Sequence, residues 1–253
     1  MAIPDYTIVG GGLCGCVLAA RLTENATTGV LLLEAGRSDR KLTIAMPAAI
    51  PFVYQNRRLG WNGQAGPEPF LYGLMIDEKR GHVLGGSISI NAMLFNRGNP
   101  RDFDGWAARG LRGWGWRDVP PYFKRSESFA EGGNDTRGGD GPLRVSRMPA
   151  RHKQFDVFIR AGEQTGYPSP ADHNSGDQEG MHIAQATIGG GLRSSASRAN
   201  LRPVLHRPNL RLRTGARDRV QPPRYRGGPG GYDPLRPAGP RPRQPAGRVA
   251  DPR

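Results

Sequence analysis

Cysteine and histidine are scarce in this sequence, and their placement excludes several kinds of site. The 253 residues include two cysteines, Cys14 and Cys16, and five histidines. Side chains two apart on a predicted helix point in different directions, so we expect neither a disulfide nor a metal pair from these thiols. We predict instead that both pack against a sheet. The histidines show no ligand spacing such as HxxxH, and we predict no bound metal.

Long apolar runs are also missing. No segment approaches the ~20 apolar residues that cross a membrane. Asp5 and then a predicted core strand follow Met1 too closely for a secretory signal. We therefore expect a cytoplasmic protein without an integral membrane segment. Its 253 residues are enough for one large domain or two small ones.

Lysine is nearly absent, although the net charge is +14. Arginine accounts for 32 of the 36 basic residues. A groove that binds nucleic acid usually combines lysine with arginine and interleaves aromatic residues. We predict no nucleic-acid partner. A non-enzymatic basic binding protein that uses an arginine-rich C-terminal tail stays open as an alternative.

That tail, residues 217–253, differs from everything before it. It holds nine prolines, nine arginines and six glycines, and only Val220, Leu235 and Val249 represent the Leu, Ile, Val and Phe class. Such a composition buries too little apolar surface to offset chain entropy, so we predict a disordered tail. We favour a shifted reading frame in a GC-rich gene as its origin. A functional basic tail and a proline-rich linker are the alternatives.

The most informative stretch is a glycine turn near the N-terminus. A strand is predicted at Tyr6–Val9, followed by Gly10-Gly11-Gly12-Leu13-Cys14-Gly15, a helix to Thr23, and a strand at Val30–Leu33 that ends in Glu34. This order is typical of a dinucleotide-binding crossover. An ordinary strand-to-helix turn is the alternative.

Each part of this pattern has a physical role. Gly10 permits the tight turn, Gly12 lets a pyrophosphate approach the backbone, and Gly15 lets the helix lie close to the sheet. The first amides of the helix offer unpaired donors and a partial positive charge to phosphates. Glu34 can accept hydrogen bonds from ribose hydroxyls.

A second informative stretch runs from Gly81 to Gly98. Small residues at 85–87 would let a flat ligand approach the backbone, while Ser87, Ser89 and Asn91 supply hydrogen-bonding groups between apolar residues. We interpret this stretch as part of a binding site. A buried Gly/Ser-rich loop against a core helix is the alternative.

Elsewhere the pattern predicts few regular elements. Residues 37–80 are expected to be extended and rich in loops. Helices are predicted over 102–106, 114–125, 153–166 and 194–201, with Gly166 ending the third. Strands are predicted at Leu143–Val145, with the alternation of an edge strand, and at Leu210–Leu212.

Together these motifs resemble the glucose–methanol–choline oxidoreductase family, most of all its bacterial choline and alcohol dehydrogenase branch. The likeness rests on Leu33-Glu34-Ala35-Gly36, on Val83 to Asn91 with Arg97-Gly98, and on 119–124 and 139–143. It implies an α/β fold with an incomplete Rossmann-like FAD-binding domain, whose N-terminal part is 1–145. The start of an α+β substrate-binding domain would lie within 146–216.

The resemblance also implies an FAD enzyme that oxidises an alcohol, choline or another primary alcohol, by hydride transfer to flavin N5. The positions that would bind FAD are Gly10, Gly12, Leu13, Gly15, Glu34, Ala35, Val83, Gly86, Ser87, Asn91, Ala92, Met93 and Leu94. Some members attach the flavin through a histidine where this chain has Ile90, so the resemblance implies non-covalent FAD. His82 is expected at the edge of the cofactor, without a catalytic role.

Departures from the family bear on activity. Members are much longer, and their catalytic histidine, paired with a histidine or asparagine, lies near their C-terminus. We therefore assign no catalytic residue to this chain, and expect a truncated protein that is inactive alone and folds poorly, aggregates or binds FAD weakly. A nicotinamide-dependent Rossmann dehydrogenase, the other alternative, would need a Tyr-x-x-x-Lys pair, and none of the seven tyrosines has a lysine four residues on. The oligomeric state stays open.

Overall fold

The protein is a mixed α/β structure built on the crossover that the glycine turn predicts. The computed structural model describes residues 3–148 and 152–215. Its strands are β1 (Tyr6–Val9), β2 (Val30–Glu34), β3 (Gly63–Gln64), β4 (Asp77–Glu78), β5 (Glu127–Phe129), β6 (Leu143–Arg147), β7 (Gln185–Ala186), β8 (Ile188–Gly189), β9 (Leu192–Arg193) and β10 (Leu210–Thr214). Its α-helices are α1 (Leu13–Leu22), α2 (Leu42–Ala45), α3 (Ile50–Gln55), α4 (Pro100–Ala108), α5 (Pro120–Ser126) and α6 (Lys153–Gln164). The predicted α/β class is confirmed.

The main sheet is parallel and has the order β1-β2-β10. β2 pairs along one edge with β1 and along the other with β10, from Val30 opposite Leu210 to Glu34 opposite Thr214. A middle strand of a parallel sheet is covered on both faces, which suits the unbroken apolar run of β2. Val30 and Leu32 are accordingly almost fully buried.

Small side chains let α1 pack closely against this sheet. Cys16 and Ala19 are completely buried, and Ala20 nearly so. They form one core cluster with Leu32 of β2 and with Leu201, which lies in a single turn of π-helix at Ser197–Leu201. Burial of this apolar surface fixes the helix over the sheet. The short helix predicted over 194–201 is therefore present in its second half.

Residues 37–81 contain more short elements than the sequence predicts. α2, α3 and single 3₁₀ turns alternate with loops, and β3 pairs with β4 as a two-residue antiparallel ladder. Ile44, Val53 and Leu59 of this segment form a second core cluster with Val83 and Ile90, which follow it. The sequence pattern does not predict these elements because each is too short, at six residues or fewer, to show a clear periodicity.

Proline sets where two of the later helices begin. Pro100 lies at the start of α4, after Asn99, whose side chain accepts the Arg101 amide. α5 begins at Pro120, so the helix predicted from Trp114 is wrong over its first residues. Because proline has no amide donor and fixes φ, it favours the first turn of a helix over its interior.

The second sheet corrects the prediction made for residues 143–145. Its order is β5-β6-β7, with β6 parallel to β5 and antiparallel to β7. The strand at Leu143–Arg147 therefore occupies the middle of the sheet and not an edge. Its alternation reflects one buried face, since Val145 is completely buried while Arg144 is exposed.

Apolar side chains remain exposed around the first strand. Within the described residues β1 pairs along one edge only. Val9 at its end is 73% exposed, and Tyr6 and Leu13 are each about half exposed. Patches of this kind mark surfaces that contact other protein. The expectation that the chain alone aggregates stays a prediction.

Three other expectations concern the extent of the chain. Among residues 3–148 and 152–215, no helix is both long enough and apolar enough to cross a membrane. The predicted disorder and the reading-frame interpretation of 217–253 fall outside the described residues. The division into domains at 1–145 and 146–216 stays a prediction.

Candidate functional site

The glycine turn has the geometry that its sequence predicts. Gly10 adopts a positive φ of 98°, which glycine reaches without steric strain. Its amide donates to the Leu33 carbonyl at 2.8 Å and so joins the turn to β2. A Cβ atom on Gly15 would lie 1.9 Å from the Gly10 carbonyl oxygen, which no side chain could tolerate. Gly15 therefore allows α1 to start directly against the turn.

The start of α1 is free to bind an anion. Gly12 is its N-cap and supplies no side-chain hydrogen bond, and the first turn holds no acidic residue. The space in front of Gly12 is open, since a Cβ atom there would meet nothing within 4 Å. Unpaired amides at a helix start favour phosphate through both hydrogen bonding and the helix dipole.

Glu34 lies at the end of β2 and holds the turn in place. Its two carboxylate oxygens accept the amides of Gly11 and Gly36, each at 2.6 Å. The residue is 7% exposed, so these bonds lie largely out of water. A carboxylate has lone pairs for about four hydrogen bonds, which leaves two for a ligand. Ala35 follows Glu34 in the sequence and is half-buried.

The second predicted stretch packs against the first. The Gly85 amide donates to the Gly11 carbonyl at 2.7 Å. A Cβ atom on Gly86 would lie 3.0 Å from the Gly12 Cα, so the two backbones nearly touch. The structure thus brings together two motifs that are more than 70 positions apart in the sequence. They form one continuous surface of glycine backbone.

Individual side chains of the second stretch have different environments. Ser87 is exposed, and its hydroxyl oxygen accepts the Gly81 amide at 3.0 Å. Ser89 is completely buried and donates to the Leu84 carbonyl at 2.9 Å, so its role is structural. Val83 is also completely buried, within the second core cluster. Of these three side chains, Ser87 alone is available to a ligand.

The segment from Asn91 to Leu94 forms a fixed and partly exposed loop. Asn91, Ala92 and Leu94 are exposed, while Met93 is 2% exposed and has a positive φ of 65°. The Asn91 side-chain oxygen accepts the Met93 amide at 3.0 Å, which holds this unusual conformation. The Met93 carbonyl accepts the amide of Thr187 at 2.8 Å.

Cys14 and Cys16 have different environments, which corrects one prediction. Cys16 is buried against the sheet, as predicted, and its Sγ donates to the Gly11 carbonyl at 3.2 Å. Burial, with a smaller contribution from the Asp39 carboxylate, raises the pKa of the Cys16 thiol to about 12. Cys14 is exposed instead of packed on the sheet. Its position in the first turn points it away from the strands.

Four of the five histidines lie in structural contacts. The His82 ring is 4.2 Å from that of Trp61, and His173 stacks on His182 at 3.9 Å. Burial lowers the pKa of His173, and the neighbouring His182 lowers it further. His152 caps α6 through its ring nitrogen. Among the described residues, no group of three or more His, Cys, Asp or Glu side chains could hold a metal ion.

Sequence reasoning missed a buried network of ionic side chains. Glu127 is completely buried and accepts hydrogen bonds from both Arg97 and Arg137. Arg137 also donates to Asp172 at 2.7 Å and to Gln185 at 2.9 Å. In the sequence, Arg97 is recognisable only as part of the Arg97-Gly98 motif. No local signal could reveal the network, because its members lie on separate segments that meet through the fold.

A second missed residue is Arg193, at the end of β9. Its guanidinium group is buried and reaches the loop at Asn91. Arg193 lies just before the helix predicted over 194–201, and the sequence around it carries no sign of this contact. Arg193 pairs with Ile188 in the antiparallel ladder of β8 and β9, and its side chain is 2% exposed.

The sequence and structure of the chain are similar to those of known proteins. Residues 4–220 match the family model of GMC oxidoreductases. Oxygen-dependent choline dehydrogenase of Sinorhizobium fredii is 43% identical over 208 residues, which cover 82% of this chain and 38% of that protein. The chain therefore spans well under half the length of this relative.

Two solved structures are similar in fold. Pyridoxine 4-oxidase from Mesorbium loti has a TM-score of 0.77 at 36% identity, covering 84% of this chain and 42% of that one. An FAD-dependent oxidoreductase from Chaetomium thermophilum has a TM-score of 0.74 at 32% identity, covering 82% and 38%. With the match over 4–220, these similarities show that the chain belongs to the GMC oxidoreductase family.

Proposed function

We propose that this chain binds FAD non-covalently and forms the nucleotide-binding part of an oxidoreductase that acts on the CH–OH group of an alcohol. The observation that carries the proposal is the contact between Gly12 and Gly86. It places a helix start whose geometry favours phosphate beside a second glycine segment, so that one extended ligand would contact both. FAD, when bound, would accept a hydride from the alcohol carbon.

The residues present fit an ADP group. The open space at Gly12 and the uncapped start of α1 would receive the pyrophosphate. Glu34 would accept hydrogen bonds from ribose hydroxyls with the lone pairs that Gly11 and Gly36 leave free. Gly10, Leu13 and Gly15 would shape the turn around the phosphates, and Ala35 would lie beside the ribose.

The isoalloxazine ring would lie along the second stretch. Gly86 and Ser87 would lie near the pyrophosphate end, and Asn91, Ala92, Met93 and Leu94 would line the ring largely through backbone groups. Val83 would contribute its backbone only, because its side chain is in the core. Ile90 precedes Asn91 and is 5% exposed, and its aliphatic side chain cannot form a bond to flavin. This supports non-covalent attachment.

The substrate is proposed from the relatives. Choline dehydrogenase and pyridoxine 4-oxidase carry alcohol-type substrates in their names. We propose choline or another primary alcohol as the substrate here. No catalytic residue is assigned to this chain, and the group that takes the hydroxyl proton is proposed to come from the region of such proteins that lies beyond the match. A cytoplasmic location and the lack of a nucleic-acid partner stay predictions.

Titration of the purified chain with FAD tests the proposal. Binding would quench flavin fluorescence and raise the melting temperature, because a ligand that binds only the folded state stabilises it. NAD⁺ added in the same way should leave the melting temperature unchanged. A chain that is folded by circular dichroism and leaves flavin fluorescence unchanged would overturn the proposal.

Gly12→Val sharpens this experiment. Its side chain would enter the space proposed for the pyrophosphate and meet no protein atom within 4 Å of its Cβ, so the fold should persist. FAD affinity should fall by at least tenfold. Gly105→Ala, in α4 and equally free of contacts, is the matched control and should bind FAD normally.

A further inference from the structure

Arg193 makes an unusual set of contacts for a buried cation. It is 2% exposed, and its Nε donates to the Ile44 carbonyl at 3.0 Å. Its Nη1 donates to the carbonyls of Ile88 and Asn91 at 3.1 and 2.8 Å, and to the Asn91 side-chain oxygen at 3.0 Å. Two of these four bonds thus reach Asn91, at the start of the loop from Asn91 to Leu94, and a third reaches Ile88 in the 3₁₀ turn just before it.

That loop is the segment proposed to line the flavin ring. The Asn91 side-chain oxygen that Arg193 contacts also accepts the Met93 amide, which holds Met93 at positive φ. Asn91 and Ala92 are exposed, whereas Arg193, which contacts Asn91, is buried in the core. The guanidinium group therefore fixes the exposed backbone from its buried side.

Nothing in the ionic environment explains the burial of this charge. Within residues 3–148 and 152–215 no carboxylate forms an ion pair with Arg193, and its Nη2 makes no hydrogen bond. Burial alone lowers its pKa to about 10. Burying a charge without a counter-ion is unfavourable. Hydrogen bonds to carbonyl oxygens of α2 and of the segment at Asn91 offset part of the unfavourable free energy of burying this charge. The loop conformation and the buried cation therefore depend on each other.

We propose that Arg193 is a positioning residue for the flavin, which holds the backbone of Asn91 and Met93 in the conformation that receives the ring. The proposal rests on the proposed function, since it assumes that the Asn91 loop lines the cofactor. The planar fork of arginine can donate to α2 and to the loop at once. A lysine ammonium has no such fixed geometry and would hold only part of this arrangement.

Arg193→Lys and Arg193→Met test this proposal in the full chain. Arg137→Lys is the matched control, because Arg137 is also completely buried but contacts Glu127, Asp172 and Gln185. We would measure the FAD dissociation constant, the visible circular dichroism of bound flavin, and urea unfolding. All three variants should be less stable. Only the Arg193 variants should weaken FAD binding, by at least tenfold, and alter the flavin signal.

Hydrogen exchange separates this proposal from the proposed function. In the chain without ligand, Arg193→Lys should speed exchange of the Met93 amide much more than Arg137→Lys does, after correction for global stability. Unchanged Met93 exchange would overturn the positioning role whether or not FAD binds. So would normal FAD affinity and flavin signal in Arg193→Lys. If the wild-type chain binds no FAD but Met93 exchange responds, the proposed function fails and the link between Arg193 and the loop remains.

Discussion

Glu34 Oε2 lies 2.6 Å from the main-chain nitrogen of Gly11 and accepts its hydrogen bond across the glycine turn. The acid that the sequence offers for a ribose thus also holds the turn that would grip the phosphates. One side chain links the two halves of the nucleotide site, with its second oxygen on the Gly36 amide. Loss of the carboxylate should therefore affect stability before any ligand is present.

Glu34→Ala should destabilise the unliganded chain by about 2 kcal/mol or more, because it leaves two largely buried amides without acceptors. Glu34→Gln keeps one acceptor and should have a smaller effect. Urea unfolding followed by circular dichroism measures both. Glu24→Gln is the control, since Glu24 forms only an exposed pair with Arg21 and should change stability by less than about 1 kcal/mol. Equal effects of Glu24→Gln and Glu34→Ala would contradict the linking role.

Gly15→Ala should unfold or severely distort the crossover. Its Cβ would lie 1.9 Å from the Gly10 carbonyl oxygen, a backbone atom that cannot move aside as the end of a flexible side chain could. Gly105→Ala, in the open interior of α4, should instead stabilise the chain by about 0.5–1 kcal/mol. Thermal melting of the two variants checks this opposite pair. A Gly15→Ala variant with wild-type melting would show that α1 does not lie this close to the turn.

Glu127→Ala should destabilise the chain by about 3–5 kcal/mol, because it leaves the buried guanidinium groups of Arg97 and Arg137 without their shared carboxylate. Denaturant unfolding gives the value. Glu131→Ala removes the partner of Arg147 from a largely exposed pair, and should cost less than about 1 kcal/mol. A small loss for Glu127→Ala would mean that the two arginines find other acceptors.

Stability should fall as the pH drops below about 6.5. The fold lowers the pKa of His173, so the unfolded chain takes up a proton in a range where the folded chain does not, and acid favours unfolding. Burial and His182 lower this pKa, Asp172 opposes them and Arg137 supports them. One such group contributes at most about 1.4 kcal/mol per pH unit.

Unfolding free energies between pH 5 and pH 8 test the role of His173. His173→Gln should flatten the profile between pH 5 and pH 6.5, whereas His206→Gln, at an exposed position, should leave it unchanged. If both variants keep the wild-type profile, another group sets the acid sensitivity.

Iodoacetamide at pH 8 should modify Cys14 and spare Cys16. Only the thiolate reacts, and the Cys16 thiol is buried with its pKa raised to about 12. Mass spectrometry should show one adduct on the folded chain and two in urea. Cys14→Ser should show none when folded. If FAD binds at the start of α1, it should slow the reaction of Cys14, and rapid labelling of Cys16 would contradict its burial.

The sequence predicts the local part of this architecture well. β1, α1 and β2 follow from a spacing of glycines and apolar residues within one short segment, and the turn at Gly10 has the expected conformation. Contacts between distant segments could not be predicted in this way. The pairing of β10 with β2 and the middle position of β6 depend on tertiary packing, which overrides a short strand pattern.

In the candidate site, too, the local features could be predicted and the contacts between distant segments could not. Its glycines and Glu34 could be named in advance because each satisfies a requirement of backbone geometry or of ribose chemistry. Arg193 and the network at Glu127 could not be named in advance. The sequence does not indicate which distant groups the guanidinium group of an arginine will contact in the fold. Cys14 is exposed, against prediction, because its angle around α1, and not its small size, decides whether it meets the sheet.

β10 joins β2 from the far end of the described chain, which sets an order of events during synthesis. A ribosome releases Val30 early and Leu210 late, so the edge of β2 stays without its partner for most of translation. Open edges of apolar strands pair readily with neighbouring chains. A nascent chain of this protein should therefore need a chaperone at β2 until Leu210–Thr214 has left the exit tunnel.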